Sequence, residues 1–405
     1  MNAKYKLEIW TEGKKYSKVK VPTHMVPYFS KLNDENSLKL ESVGIHFYKD
    51  GLHVMLPKNS DEQMFNEKKH IDLLIKGLTD NKLENSSSYD EFDIVKTSDL
   101  FKVIKWLIDD FKKNGIYFNT NIFTNKKKGK INWRKTIKKS MPFVNGNNLA
   151  IMEFYRDKKI KNLDDISLIH IHVINNISQS YGALFKGFQF KGNNLKIDIR
   201  ESKRIERILK TAITTSNITR EIYLFKNLLL YLQLIQSNND NISISTKNFH
   251  VFFENIFKYY INHDKSLMEY IPSAKWNFKL PDEKFNRVAN NNQIPDALVE
   301  NSGFLDIYDP KYYDLSYLKL TKSTNSVPLD WYSVSKQFFY SLSFDYEKSG
   351  LKKGENYFVF PYTSENFKLI NIGDITIDDN IYGKQKINIL LIDVMKLLDY
   401  YLHDN

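Results

Sequence analysis

Two apolar runs flanking a turn, Ile294-Pro295-Asp296-Ala297-Leu298-Val299-Glu300 and Phe304-Leu305-Asp306-Ile307-Tyr308-Asp309, constrain this chain more than any other feature. Asn301-Ser302-Gly303 between them suits a tight turn, so the runs are read as neighbouring strands. Side chains alternate along a strand. Asp309 and Lys311 therefore project to one face and Pro310 to the other, while Asp296 arrives from the adjacent strand. An aspartate in a run as apolar as Phe304-Leu305-x-Ile307-Tyr308 is costly unless a metal or a lysine partners it. Pro310 cannot donate to a ladder and marks the strand's end, where sites on open sheets often lie. Two carboxylates and a lysine meeting there match the needs of metal-assisted phosphodiester hydrolysis: the acids hold a hard divalent cation, and the lysine orients or activates water. The bland alternative is a surface hairpin with solvated charges.

Composition sets the limits. With 405 residues, 42% hydrophobic and 14% aromatic, the chain can build the cores of two or three domains. A formal net charge of +11 favours an anionic partner. Cysteine is absent, which excludes disulfides and thiolate zinc sites and fits a reducing cytoplasm. The first twenty residues lack the uninterrupted apolar core of a signal peptide. The most apolar run, Ile222 to Ile235, is too short for a membrane span and is broken by Lys226, Asn227 and Gln233. A cytoplasmic protein without a membrane partner is expected.

Three consecutive regions are expected. Residues 1–155 read as a β-rich domain, with a hairpin over Gly44 to Pro57 around Asp50-Gly51. One helix, Asp99 to Lys113, interrupts it, with Ser98 before it and Gly115 after. Asn81 to Asp90 reads as an exposed loop. Residues 156–245 read as a helical connecting region: Ile166, Ile169, His170, Val173, Ile174 and Ile177 form one stripe, and Ile222 to Ile235 a second helix. His170 and His172 face differently on that helix and are read as structural. Beyond the turn cluster Ser237 to Asn241, residues 246–405 read as a mixed α/β sheet flanked by helices, ending in a helix over Ile387 to Leu402.

Two helices of that last region add candidates. Glu254, a lone acid among Val251, Phe252, Phe253, Ile256 and Phe257, could bind metal directly or through water, or simply face solvent. Gln337 and Tyr340, one turn apart, share a face, and Gln337 could hold Lys311 or a phosphate oxygen, or serve helix-sheet packing. The densest basic patch, Lys126, Lys127, Lys128 and Lys130 through Arg134, Lys135, Lys138 and Lys139, suits phosphates or an acidic protein surface.

The series Phe253-Glu254-Asn255-Ile256-Phe257-Lys258-Tyr259-Tyr260, Pro295-Asp296, Asp309-Pro310-Lys311-Tyr312-Tyr313 and Lys336-Gln337-x-x-Tyr340 resembles the nuclease half of the McrC and LlaJI family of restriction endonucleases. Lys128 to Ile137 is similar to a further motif of that family, a Gly-basic-Ile segment ending in Thr-Ile. Asp-Pro-Lys in place of Asp-Ala-Lys is closer to the LlaJI branch. The resemblance implies an α/β (α+β) multidomain protein whose C-terminal region is a PD-(D/E)xK-type sheet. It implies a restriction endonuclease subunit with Asp296, Asp309 and Glu254 as ligands of Mg2+ (or Mn2+), and Lys311 and Gln337 completing the catalytic set. Its partners would be double-stranded DNA and an McrB-like AAA+ GTPase hexamer, whose pore the N-terminal β-rich part enters and whose GTPase it stimulates. Consistent with this division, the Gly-Lys pairs at 13-14, 129-130 and 383-384 lack the rest of a phosphate-binding loop, so no nucleotide is expected on this chain itself. A self-contained type II enzyme reading its own site with residues 1–155, or a non-catalytic activator of the ring, are the alternatives.

Overall fold

The structure, a computed structural model, describes residues 6–48, 51–80, 95–125, 128–145, 148–151, 153–185, 187–192, 202–237, 241–273, 275–279, 284–288, 294–315, 329–379 and 383–404. They form two compact units, one built from segments 4–98 and 241–405, the other from 99–240. The chain is thus divided differently from the three consecutive regions expected. Residues 99–155 share a unit with the helical stretch, and the N-terminal segment shares one with the C-terminal region. Pairing between strands some two hundred residues apart joins those segments, and local composition carries no trace of it.

In the first of these units, β1 (Lys6–Thr11), β2 (Val43–Tyr48) and β3 (Gly51–Leu56) are followed by α1 (Glu67–Leu78), β4 (Lys96–Thr97) and β5 (Ile242–Thr246). The sheet order is β1-β3-β2-β5-β4. β2 and β3 form the expected hairpin, with Tyr48 opposite Gly51. Gly51 has φ 149°, and a Cβ there would meet the Lys6 carbonyl oxygen at 2.0 Å, so the parallel β1–β3 pairing requires glycine. β5 pairs antiparallel with β2 on one side and β4 on the other. The Ser98 N–H donates to Ser243 O at 2.9 Å, and the Ser243 N–H donates to the Ser98 hydroxyl at 3.0 Å.

The same unit holds a second five-stranded sheet. α2 (Phe249–Tyr260) precedes β6 (Ala297–Asn301) and β7 (Phe304–Pro310); α3 (Trp331–Ser343), β8 (Lys352–Tyr362), β9 (Ile370–Asp379), β10 (Gly383–Asp393) and α4 (Val394–Asp404) follow. The order is β6-β7-β8-β10-β9, with β7, β8 and β10 parallel and the edge strands antiparallel. Asn301 faces Phe304 across a two-residue loop in which Ser302 and Gly303 have φ 53° and 84°, the doubly positive pattern of a hairpin turn. Leu305 and Ile307 pack on one face with Leu298, Tyr340 and Phe344, and Phe358, Phe360 and Leu391 pack on Val334 and Phe338 of α3. Tyr308 points to the other face, stacked on Tyr357 at 4.5 Å and against Phe257 of α2.

The expected final helix over Ile387 to Leu402 is two elements, the inner half of β10 and then α4. An unbroken apolar run is a buried strand as readily as a helix, and periodicity alone does not separate them. The helix Glu67–Leu78, inside the stretch read as β-rich, was not foreseen.

In the other unit, the helix Asp99–Asn114 buries Leu100, Val103, Ile104, Leu107 and Ile108 and ends at Gly115, φ 72°. The helix Asp165–Tyr181 buries Ile169, His170, Val173, Ile174 and Ile177. Burial pulls His170 down to about 4, so it packs neutral, and its Nδ1 accepts the Tyr117 N–H at 3.1 Å. Asp110 on the first helix takes a two-pronged 2.8 Å bond from Arg220 on the helix Thr219–Gln236. A three-stranded sheet of Asn119–Asn125, Arg156–Asn162 and Lys130–Ile131 carries the short helix Trp133–Lys139. The loop expected over residues 81–90 lies outside the described residues.

Candidate active site

β7 delivers Asp309 to the α3 side of the sheet, and Lys311 lies just past the strand's end. Asp309 Oδ2 lies 2.9 Å from Lys311 Nζ. Pro310 closes the strand, and the Lys311 N–H donates to Val359 O at 2.7 Å, fixing the lysine backbone beside β8. Ala297 pairs with Tyr308, which brings Asp296, one residue earlier, alongside Asp309, one residue later. From there the Asp296 carboxyl acts on Asp309 and raises it. Asp309 is only 2% exposed, and its Oδ1 is buried without a hydrogen-bond partner among the described residues.

The electrostatics follow from that crowding. Burial pushes Asp309 well above the usual carboxylate range; the neighbouring Asp296 pushes it further and Lys311 draws it back. Burial opposes the charge on Lys311, but Asp309 and then Asp296 outweigh it and hold the lysine above its ordinary value. Glu254, half-buried on α2, is pushed up to about 7 by burial first and the charge of Asp296 second. Asp296 and Lys311 thus act on both Asp309 and Glu254, Asp296 raising and Lys311 lowering each.

Gln337 is fully buried on α3, where it packs the helix on the sheet, one of the two roles expected of it. Its Nε2 donates to Ile307 O at 3.2 Å, so it grips the backbone of β7 rather than Lys311, and its Oε1 is buried without a partner among the described residues. Two neighbours on that helix escaped assignment by sequence. The Tyr340 hydroxyl donates to Ile294 O at 3.0 Å, anchoring the approach to Asp296. Lys336 Nζ sits 5.4 Å from the Tyr340 ring centre, and both Asp296 and Asp309 act on its charge. The one-turn spacing of Lys336 and Tyr340 was the available signal. Lys128, Lys130 and Arg134 are exposed in the other unit, while Lys126 and Lys127 lie outside the described residues.

A divalent cation is implied by this donor set, and the residues fit one. No set of three or more His, Asp or Glu side chains among the described residues is close enough to hold a metal ion alone. Mg2+ needs only one or two carboxylates, keeping waters and substrate oxygens for the rest. Two facing carboxyls and the unpartnered Asp309 Oδ1 supply that much.

The model of the LlaJI restriction endonuclease family matches residues 42–391, and the chain belongs to that family. It is therefore a nuclease of the restriction class. Two solved structures are similar to it. One is a refined half-complex from a tetradecameric assembly of Thermococcus gammatolerans McrB AAA+ hexamers with bound McrC, at 12% identity and TM-score 0.37, covering 98% of this chain and 100% of that one. The other is the cryo-EM structure of the Thermococcus gammatolerans McrBC complex, at 11% identity and TM-score 0.24, covering 62% of this chain and 87% of that one. Likenesses at this level do not bear on the geometry of the site. No curated protein matches the chain. Among the described residues no helix is long and apolar enough to cross a membrane.

Proposed function

We propose that this chain is the DNA-cleaving subunit of a McrBC/LlaJI-type restriction system, with a PD-(D/E)xK-type site on the β6–β7 hairpin. The observation that carries this reading is the buried Asp309, paired with Lys311 at 2.9 Å and faced by Asp296, at the end of an interior strand. Asp296 and Asp309 would hold Mg2+ (or Mn2+), with Glu254 reaching it through water. When bound, the cation stabilises charge that builds on the phosphate oxygens. Lys311 donates hydrogen bonds that orient the attacking water and a phosphate oxygen. Gln337 holds β7 in place through Ile307 O. Lys128, Lys130 and Arg134, with Lys126 and Lys127, contact DNA phosphates or the partner.

The substrate is double-stranded DNA in the cytoplasm, and the partner is an McrB-like AAA+ GTPase hexamer that this chain stimulates. Family membership supports the partner. The test is plasmid cleavage by the chain mixed with its AAA+ partner, with and without GTP and Mg2+, comparing wild type with Lys311→Ala. Cleavage needing both chains, GTP and Mg2+, and lost in the variant, is expected. Cutting by this chain alone discards the partner; cutting untouched by Lys311→Ala discards the site.

A further inference from the structure

Beyond Pro310 the catalytic strand leaves its sheet, and residues 311–315 belong to no strand or helix. A different part of the chain holds them. The Tyr312 hydroxyl donates to Glu12 Oε2 at 2.6 Å and accepts the Lys58 N–H at 3.0 Å. Lys58 Nζ donates to Tyr312 O at 3.1 Å and sits 4.7 Å from the centre of the Tyr312 ring. Asn59 does more with one carboxamide. Its Nδ2 donates to Tyr313 O at 2.8 Å and to Pro361 O, at the end of β8, at 3.0 Å, while its Oδ1 accepts the Leu315 N–H at 2.8 Å. Asn59 does this from a left-handed backbone, φ 60°, a conformation that asparagine tolerates better than most residues but that still carries strain. The Tyr312 ring is wedged against Phe249 and Phe253 of α2, at 5.6 and 5.8 Å between centres.

We propose that Asn59 and Tyr312 are positioning residues for Lys311, so that the nuclease site is completed by the ends of β1 and β3 rather than by its own sheet alone. The inference rests on the reading of Asp309 and Lys311 given above and adds to it. A lysine's direction is set by its backbone. Here the Lys311 N–H donates to Val359 O, the Lys311 carbonyl accepts the Tyr313 N–H at 3.0 Å, and residues 312–315 beyond are secured by side chains from residues 12, 58 and 59. Displacement of about 1 Å at a reacting group is enough to cost a hundredfold in rate, so a tie of this kind is expected to appear in turnover rather than in substrate binding.

Asn59→Gly is the discriminating variant, because glycine accepts the left-handed backbone and removes only the carboxamide. In the full chain with its partner, kcat for plasmid cleavage per folded molecule is expected to fall about 10- to 100-fold with KM for DNA unchanged. Hydrogen exchange over residues 311–315 is expected to accelerate. Tyr312→Phe, which keeps the ring packing, is expected to give the same split. Lys311→Ala is run in parallel. If it abolishes cleavage while both positioning variants keep wild-type kcat, the proposal is overturned and the nuclease reading stands. If Lys311→Ala cleaves normally, the nuclease reading itself fails. A loss of activity that only tracks the loss of folded protein, with kcat per folded molecule intact, also overturns the positioning role.

Discussion

The Tyr340 hydroxyl on α3 donates a 3.0 Å hydrogen bond to the carbonyl oxygen of Ile294, two residues ahead of Asp296. A helix on one face of the sheet thus sets the entry of the strand that brings the second carboxylate. Tyr340→Phe deletes this bond and keeps the ring, at a stability cost of about 0.5–1.5 kcal/mol. The Mg2+ concentration giving half-maximal cleavage is expected to rise roughly 10- to 100-fold, as when an outer support of a metal ligand is removed. An unchanged Mg2+ titration would show that the bond serves packing alone.

Asp309→Asn removes the buried member of a pair of neighbouring carboxyls while nearly preserving shape. Cleavage is expected to drop at least about a hundredfold, since a metal ligand is lost. Without metal, the thermal midpoint is expected to rise above wild type, because the burial cost of that carboxyl and its repulsion from Asp296 outweigh its attraction to Lys311. Added Mg2+ is expected to raise the midpoint of wild type and leave that of the variant in place, by mass action on the folded state. Differential scanning calorimetry with and without Mg2+ reads all four midpoints.

The pH dependence of stability should have opposite signs in the two units. His170 has its folded value lowered to about 4, so its contribution is fully present above its ordinary value of 6.5 and is lost as pH falls through 4. Glu12 is raised to about 7 by burial, with Tyr312, Lys58 and Lys39 opposing. Its favourable contribution is present below its ordinary value of 4.5 and is lost as pH rises from there to about 7. Between pH 4.5 and 7, Glu12→Gln is expected to reduce the fall in the denaturant midpoint of the unit that holds Glu12, and His170→Gln is expected to remove the loss between pH 6.5 and 4 in the unit that holds His170. If Glu12→Gln leaves the neutral-side slope untouched, Glu12 is ionised in the fold.

Lys130→Ala with Arg134→Ala tests the basic patch. If both residues contact phosphates, the slope of log affinity for duplex DNA against log salt should flatten by about 0.9 for each phosphate that is no longer neutralised. A wild-type slope assigns the patch to another partner.

Legibility followed the range of the interactions. The hairpin of β6 and β7 was readable because alternation and the Asn301-Ser302-Gly303 turn are local, and Asp309 beside Lys311 follows from strand geometry alone. The approach of Asp296 to Asp309 needed the register as well, which the two-residue turn supplies. Glu254 could be named but not placed, since a helix's distance from a strand end depends on packing. Tyr340 and Lys336 stood in view without a role, because their targets are a backbone carbonyl and a pair of distant carboxylates. Asn59 and Glu12 gave no signal, being hydrogen-bonded to residues about 250 to 300 positions away. β10 was misread because Ile389 to Ile392 is apolar on both faces.

The pairing of β4 with β5 has an evolutionary consequence. The chain departs for residues 99–240 at Ser98 and re-enters at Asn241, and the departing and returning strands are already hydrogen-bonded neighbours through Ser98 and Ser243. What lies between is an insertion with adjacent ends, which lineages can lengthen, shorten or exchange without re-registering the sheet that receives it. Replacing residues 99–240 by a short glycine-containing turn should leave a cooperatively folding remainder. Failure of that shortened chain to fold would show that the insertion is structurally obligatory.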